Sequence, residues 1–126
     1  MKKLVLAASM LAAVNTLASA QSTNDQVFTL KDLGRIVDAS RGNEIRFNRD
    51  FKGRWFRDTL VLKSISEGWF NSGYRVTFQG VDCRVNATEA DALVDWSPGK
   101  RVQVTGRIKT TSMGDLQLES CSFAEV

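Results

Sequence analysis

The chain has 126 residues, 43% of them hydrophobic and 25% charged, with 17 Lys and Arg against 14 Asp and Glu, two cysteines and no histidine. The missing histidine removes His-dependent triads, the usual general base and most zinc sites. No phosphate-binding loop, nucleophile elbow or dinucleotide fingerprint stands in the sequence either, and Asp91 and Asp95, four apart, suit a solvated helix face better than an acid/base pair. The expectation is a non-enzyme with no catalytic residue, no metal and no cofactor.

Residues 1–20 open with Lys2 and Lys3, continue through an apolar run over 4–14, and end in Ala18, Ser19 and Ala20, whose small side chains suit signal peptidase. The apolar run is about half of what a bilayer span needs. A cut after Ala20 yields a periplasmic or secreted chain with no membrane anchor. Loss of Lys2 and Lys3 leaves 15 basic residues against 14 acidic, a net charge of +1, so the pI near 9.1 belongs partly to the leader. That near-neutral balance is no nucleic-acid signature for the chain as a whole. Cys83 and Cys121 both lie beyond the leader, and an even cysteine count in an exported chain favours a disulfide.

Residues 21–28 read as a flexible N-terminus and 29–126 as a single domain. From Thr29, Leu30, Leu33, Ile36 and Val37 recur at helical steps, with Asp32 placed to meet the helix start. Arg41, Gly42 and Asn43 are turn-prone, and Ile45, Phe47 and Phe51 give a second short helical or irregular stretch. A strand over 54–66 has imperfect alternation, which predicts a bulge. A glycine-bounded loop follows, then a strand at 74–78 with Val76 and Phe78 inward, a turn at Gln79 and Gly80, and a strand at 81–85 with Cys83 on the apolar side. Asn86 and Glu89 form a capping box for a helix over 87–96, which Pro98 and Gly99 end. Val102, Val104, Gly106 and Ile108 alternate as a fourth strand, a polar break covers 109–115, and Leu116 and Leu118 begin a fifth.

Three strands, a short helix and two strands are the connectivity of the five-stranded OB-fold barrel, an all-β class, here with an added N-terminal helix. In that barrel strands three and five are neighbours, which brings Cys83 beside Cys121. Cys121 has the parity of Phe123 and not of Leu118, so a bulge near Glu119 and Ser120 is needed to turn it inward.

Asn43-Glu44-Ile45, Phe51-Lys52-Gly53-Arg54, Val81-Asp82-Cys83, the run from Gly99 through Val102 and Val104 to Gly106, and Leu118 with Cys121 resemble, in order and spacing, the tRNA_anti-like family of bacterial exported OB-fold proteins. The resemblance covers about residues 38–123. It departs at Leu60, where a glycine is expected, and at Ser120, an added residue before Cys121. What it implies is the fold; the family name reflects likeness to anticodon-binding domains.

OB barrels bind through strands two and three and the loops after strands one and four. The candidate ligand-binding residues are therefore Trp69 and Phe70 in the 67–73 loop, Tyr74 at its edge, and Arg75 and Arg84 pointing out of strands two and three. The two rings either fold back or meet a partner. A protein or envelope glycan is the expected partner, ahead of single-stranded nucleic acid stacked on Trp69, Phe70 and Tyr74 beside Arg57, Lys63, Arg75 and Arg84. Intact mass of the exported protein checks the leader: the expected mass begins at Gln21, and a product retaining 1–20 contradicts it.

Overall fold

A computed structural model describes residues 26–68 and 73–126. The predicted leader lies outside the described residues. A two-residue strand β1 (Val27–Phe28) and a 3-10 turn (Leu30–Asp32) lead into helices α1 (Leu33–Gly42) and α2 (Glu44–Asp50). Strands β2 (Trp55–Glu67), β3 (Tyr74–Phe78) and β4 (Val81–Val85) follow, then a single helical turn α3 (Ala87–Ala90), β5 (Arg101–Ser112) and β6 (Asp115–Glu125). The sheet order is β1-β2-β3-β4-β6-β5, and β2 pairs again with β5, which closes β2 to β6 into the OB-fold barrel that the strand order predicts.

The alternation of β3 and β4 places Val76, Phe78, Val81, Cys83 and Val85 in the core, joined by Phe56, Leu60, Leu62, Val102, Val104, Ile108, Leu116 and Leu118. β2 serves both halves of the barrel because its register shifts between Leu62 and Ser64, leaving Lys63 as the extra residue. This is the bulge that its mixed parity requires. α1 covers the barrel at the β3–β4 turn, with Ile36 and Ala39 buried and the Leu33 side chain against Gly80. Leu93, buried, and Trp96, edge-on to Phe123 at 5.5 Å, close the barrel beside α3.

Four boundaries differ from the sequence reading. Val27 and Phe28, expected in the loose N-terminus, pair parallel with Trp55 and Phe56, and Phe28 is buried against Phe51 at 5.3 Å. The amphipathic helix begins at Leu33, because the Asp32 carboxylate accepts from the Thr29 N–H at 2.8 Å and holds the first turn as 3-10. The helix expected over 87–96 is α-helical only to Ala90 and continues as a 3-10 turn to Leu93. The expected break at 109–115 is strand as far as Ser112. Thr110, Thr111 and Ser112 pair with Gln117, Leu116 and Asp115, and only Met113 and Gly114, at φ 53° and 87°, make the turn. Positive φ at both central residues is the tight-hairpin geometry whose twist matches the strands it joins. The Ser40 hydroxyl is hydrogen-bonded to that of Thr111, which ties α1 to this extension.

The first half of β2 has β3 on neither side, and three groups cover it. β1 pairs with Trp55 and Phe56, Asp58 accepts from the Leu30 N–H at 2.8 Å, and the Gln79 side chain accepts from the Val61 N–H at 2.6 Å.

Cys83 and Cys121 are disulfide-bonded, with Cα atoms 6.2 Å apart. Thr105 pairs with Ser122 and Arg107 with Glu119, so Ser120 and Cys121 together face Gly106. Ser120 takes φ 55°, and this bulge turns Cys121 inward. Gly106 is there because a Cβ at its position would meet Cys121 Sγ at 3.0 Å and Leu118 Cβ at 3.1 Å. Replacing both cysteines by Ala is expected to cost up to about 4 kcal/mol, the chain-entropy value for a loop of this length. Gly106→Ala is expected to cost about 1–3 kcal/mol through overpacking. Urea titration measures both, and unchanged midpoints contradict the role given to the bulge.

Candidate functional site

Two residues, Gln79 and Gly80, join β3 to β4, and Gly80 takes φ 71°. That turn sets the register: Val76 faces Cys83, Thr77 faces Asp82, and Arg75 faces Arg84. Side chains alternate across a strand, so while Val76 and Cys83 enter the core, Arg75, Thr77, Asp82 and Arg84 share the outer face. Directly opposed side chains stand about 5 Å apart at Cβ, and like charges in that position repel. A pair of cations is therefore held together on this surface by the register itself.

The outer face extends to β6, whose Leu118 pairs with Cys83 and whose Gln117 pairs with Asp82 in parallel register. A second bulge completes it. Ile108 pairs with Leu118 and Thr110 with Gln117, so Lys109 is an extra residue in β5. Extra residues of this kind re-aim a side chain, and they occur often beside functional sites. The result is a cleft of about 220 Å³ lined by Arg75, Asp82, Arg84, Lys109, Gln117 and Glu119, among others. Three cations and two carboxylates share it.

Asp82 is the unusual member. It is only 8% exposed, and its Oδ1 has no hydrogen-bond partner among the described residues. Burial pushes its carboxyl above the ordinary value, and the nearby Asp115 adds to the effect. A hydrogen bond from Thr77 and the positive charges of Arg75 and Lys63 oppose it. Burial thus disfavours the ionised form of Asp82, and Thr77, Arg75 and Lys63 offset that in part.

Of the residues expected to bind, Arg75 and Arg84 are brought together in this cleft. Tyr74 has the opposite parity, is half-buried and packs against the core. Trp69 and Phe70 lie outside the described residues. Sequence reasoning missed Asp82, and it reached Lys109 only as the first residue of the loop after strand four. Asp82 has outward parity, which hides its burial, and Lys109 was assigned to a turn. Arg107, which pairs with Glu119, lies over the Trp55 ring at 4.8 Å. Among the described residues, no helix is long and apolar enough to cross a membrane.

No family model and no curated protein matches the sequence. The fold is similar to the crystal structure of a Klebsiella pneumoniae lipoprotein to which nucleic-acid binding is ascribed, with a TM-score of 0.54 and 11% identity. The match covers 88% of this chain and 97% of that one. At that identity the likeness is one of fold.

The folded Asp82 holds its proton more tightly than the unfolded chain does. Its contribution to stability is therefore complete below the ordinary value near 3.8 and is lost as pH rises through the raised folded value. Asp82→Asn removes that loss. In thermal melts the variant is expected to match wild type at about pH 3 and to melt increasingly above it towards neutrality. A difference that stays constant over this range contradicts the burial argument.

Proposed function

We propose that this is an exported, non-catalytic OB-fold binding module that holds an acidic envelope glycan on the outer face of β3, β4 and β6. The observation that carries this reading is the Arg75–Arg84 pair, held face to face by a two-residue turn and joined by the re-aimed Lys109. Two guanidinium groups on one face offer several N–H donors to a single planar anion. The face is also the one OB barrels use for ligands. Export is supported by the leader-like segment at 1–20 and by the Cys83–Cys121 disulfide, since such bonds persist in oxidising compartments.

A second reading, single-stranded nucleic-acid binding, is favoured by the nucleic-acid binding ascribed to the Klebsiella pneumoniae lipoprotein of similar fold. Both set anions on the same cations and both weaken with salt, so they differ in which probe binds more tightly. A strand whose phosphates lie on Arg75, Arg84 and Lys109 gives a log–log slope of affinity against salt of about −2.

The test is binding of acidic glycan, neutral glycan and single-stranded oligonucleotide to wild type and to Arg75→Ala/Arg84→Ala, over a salt series. Acidic glycan alone is expected to bind wild type, with at least a ten-fold loss in the variant. The variant is expected to melt within a few degrees of wild type, as surface substitutions do. Equal binding of neutral and acidic glycan, or undiminished binding by the variant, contradicts the assignment. Tighter binding of oligonucleotide with the slope given above moves it to the second reading.

A further inference from the structure

We infer that the acidic glycan continues from the cleft along β5 onto the outer face of β2 and β5, where Arg107, Arg57 and Arg101 take its further acidic groups. The inference rests on the glycan reading above and deepens it by giving the ligand a length and a direction.

The ladder between β2 and β5 builds this face. Phe56, Leu60, Val102, Val104 and Ile108 enter the core, so the residues between them stand on the opposite side. The register sets Trp55 across from Arg107, Arg57 across from Thr105, Thr59 across from Gln103 and Val61 across from Arg101. Three arginines thus share one sheet face, all of them exposed. None of the residues paired with them across this ladder is acidic, and none of the three is in a salt bridge among the described residues.

Arg107 is the member held ready. Glu119 stands across from it on β6, yet its guanidinium lies over the Trp55 ring at 4.8 Å. A guanidinium stacked on an aromatic ring keeps its in-plane N–H donors, which match a carboxylate in pairs. The stack limits the side chain's freedom before a ligand arrives, so less is lost on binding. Arg57 is its diagonal neighbour across the ladder, about 7–8 Å away.

Continuity with the cleft gives the direction. Lys109 and Glu119 line the cleft; Lys109 follows Arg107 by two residues on β5, and Glu119 pairs with Arg107 from β6. At about 220 Å³ the cleft is below the roughly 300–1,000 Å³ of sites that enclose whole drug-sized ligands, so a chain bound there has to leave it. From Arg107 to Arg101 is six residues, about 20 Å of strand, with Thr105, Gln103 and Thr59 between. Cations in a line with hydroxyl and amide groups between them suit a linear chain whose units carry both acids and hydroxyls. A bilayer is a poorer match, because it is held by apolar side chains set into it, and this face offers only Val27, Val61 and a half-buried Trp55 that lies under a guanidinium. Single-strand binders stack successive bases on aromatic rings, and Trp55 is the one aromatic side chain on the outer face of these two strands.

The experiment uses the exported protein with trigalacturonate, decagalacturonate and its methyl ester, oligouridylate, and phosphatidylglycerol vesicles. Wild type is expected to bind decagalacturonate at least ten-fold more tightly than trigalacturonate or the methyl ester. Arg57→Gln/Arg101→Gln and Arg107→Gln are each expected to lose about five-fold for decagalacturonate, the scale of one or two exposed ion pairs. The double variant is expected to bind trigalacturonate as wild type does and to melt within a few degrees of it, as surface substitutions do. Arg75→Ala/Arg84→Ala is expected to weaken both glycans.

Undiminished binding of decagalacturonate by the double variant or by Arg107→Gln overturns the inference and leaves the glycan reading standing. An equal loss by the double variant on trigalacturonate does so as well, because it reports net charge rather than a track, and so does melting of that variant well below wild type, which makes the arginines structural. Undiminished trigalacturonate binding by Arg75→Ala/Arg84→Ala is the failure of the glycan reading itself, and the inference falls with it. Loss by the double variant on oligouridylate or on vesicles, with decagalacturonate unaffected, overturns the inference in favour of a nucleic acid or a lipid surface.

Discussion

Cys121 reaches Cys83 only because β6 sets two residues, Ser120 and Cys121, against the single Gly106 of β5. Without that insertion Cys121 has outward parity and its sulfur faces water. The insertion in turn needs a residue with no side chain opposite it, and Gly106 supplies one. A bulge, a glycine and a covalent bond are thus one device that fixes β6 between β4 and β5. Both neighbouring registers follow from it: the parallel ladder that sets Gln117 beside Asp82, and the antiparallel one in which Lys109 falls out of step.

The outer face depends on the same irregularities. Lys63 and Lys109 are both extra residues, one in β2 and one in β5, and they flank the surface that carries Arg75, Asp82 and Arg84. A barrel must bend its strands to close, and bulges are how it bends them. Here the bends also redirect lysine side chains. The buried carboxylate at the centre is at odds with the rest of a well-satisfied fold, and local conflicts of this kind tend to mark function rather than stability.

The sequence was most legible where turns are short and faces differ in polarity. The ends of β3 and β4 follow directly from the alternation of Val76, Phe78, Val81, Cys83 and Val85 about Gln79 and Gly80. A two-residue turn also fixes which residues oppose each other, so the pairing of Arg75 with Arg84 was within reach of counting alone. The far end of the β5–β6 hairpin was not legible. Thr110, Thr111 and Ser112 offer no apolar face, because they extend beyond the core, and what holds them is backbone pairing and the hydroxyl contact from Ser40 on α1. Phe28 was missed for a related reason, since one buried ring in a polar run has no period, and its partner Phe51 comes from α2's end. Asp82 could not be read at all. The groups that act on its carboxyl, Lys63, Arg75, Thr77 and Asp115, stand on β2, β3 and β6, a tertiary fact that no pattern within 81–85 encodes.

The groups that cover the first half of β2 have a consequence for solubility. A strand edge with free N–H and C=O groups is a template on which another molecule can add a strand. Here β1 occupies one end of that edge, while the side chains of Asp58 and Gln79 are tied to the backbone at Leu30 and Val61. Only two residues of β1 do the pairing, and they follow directly on the segment before residue 26. Proteolysis that reaches past Phe28 therefore removes more than a tail. It bares a hydrogen-bonding edge that ends beside Phe56 and Leu60, and a trimmed molecule of this kind gains a route to pair edge to edge with its own copies.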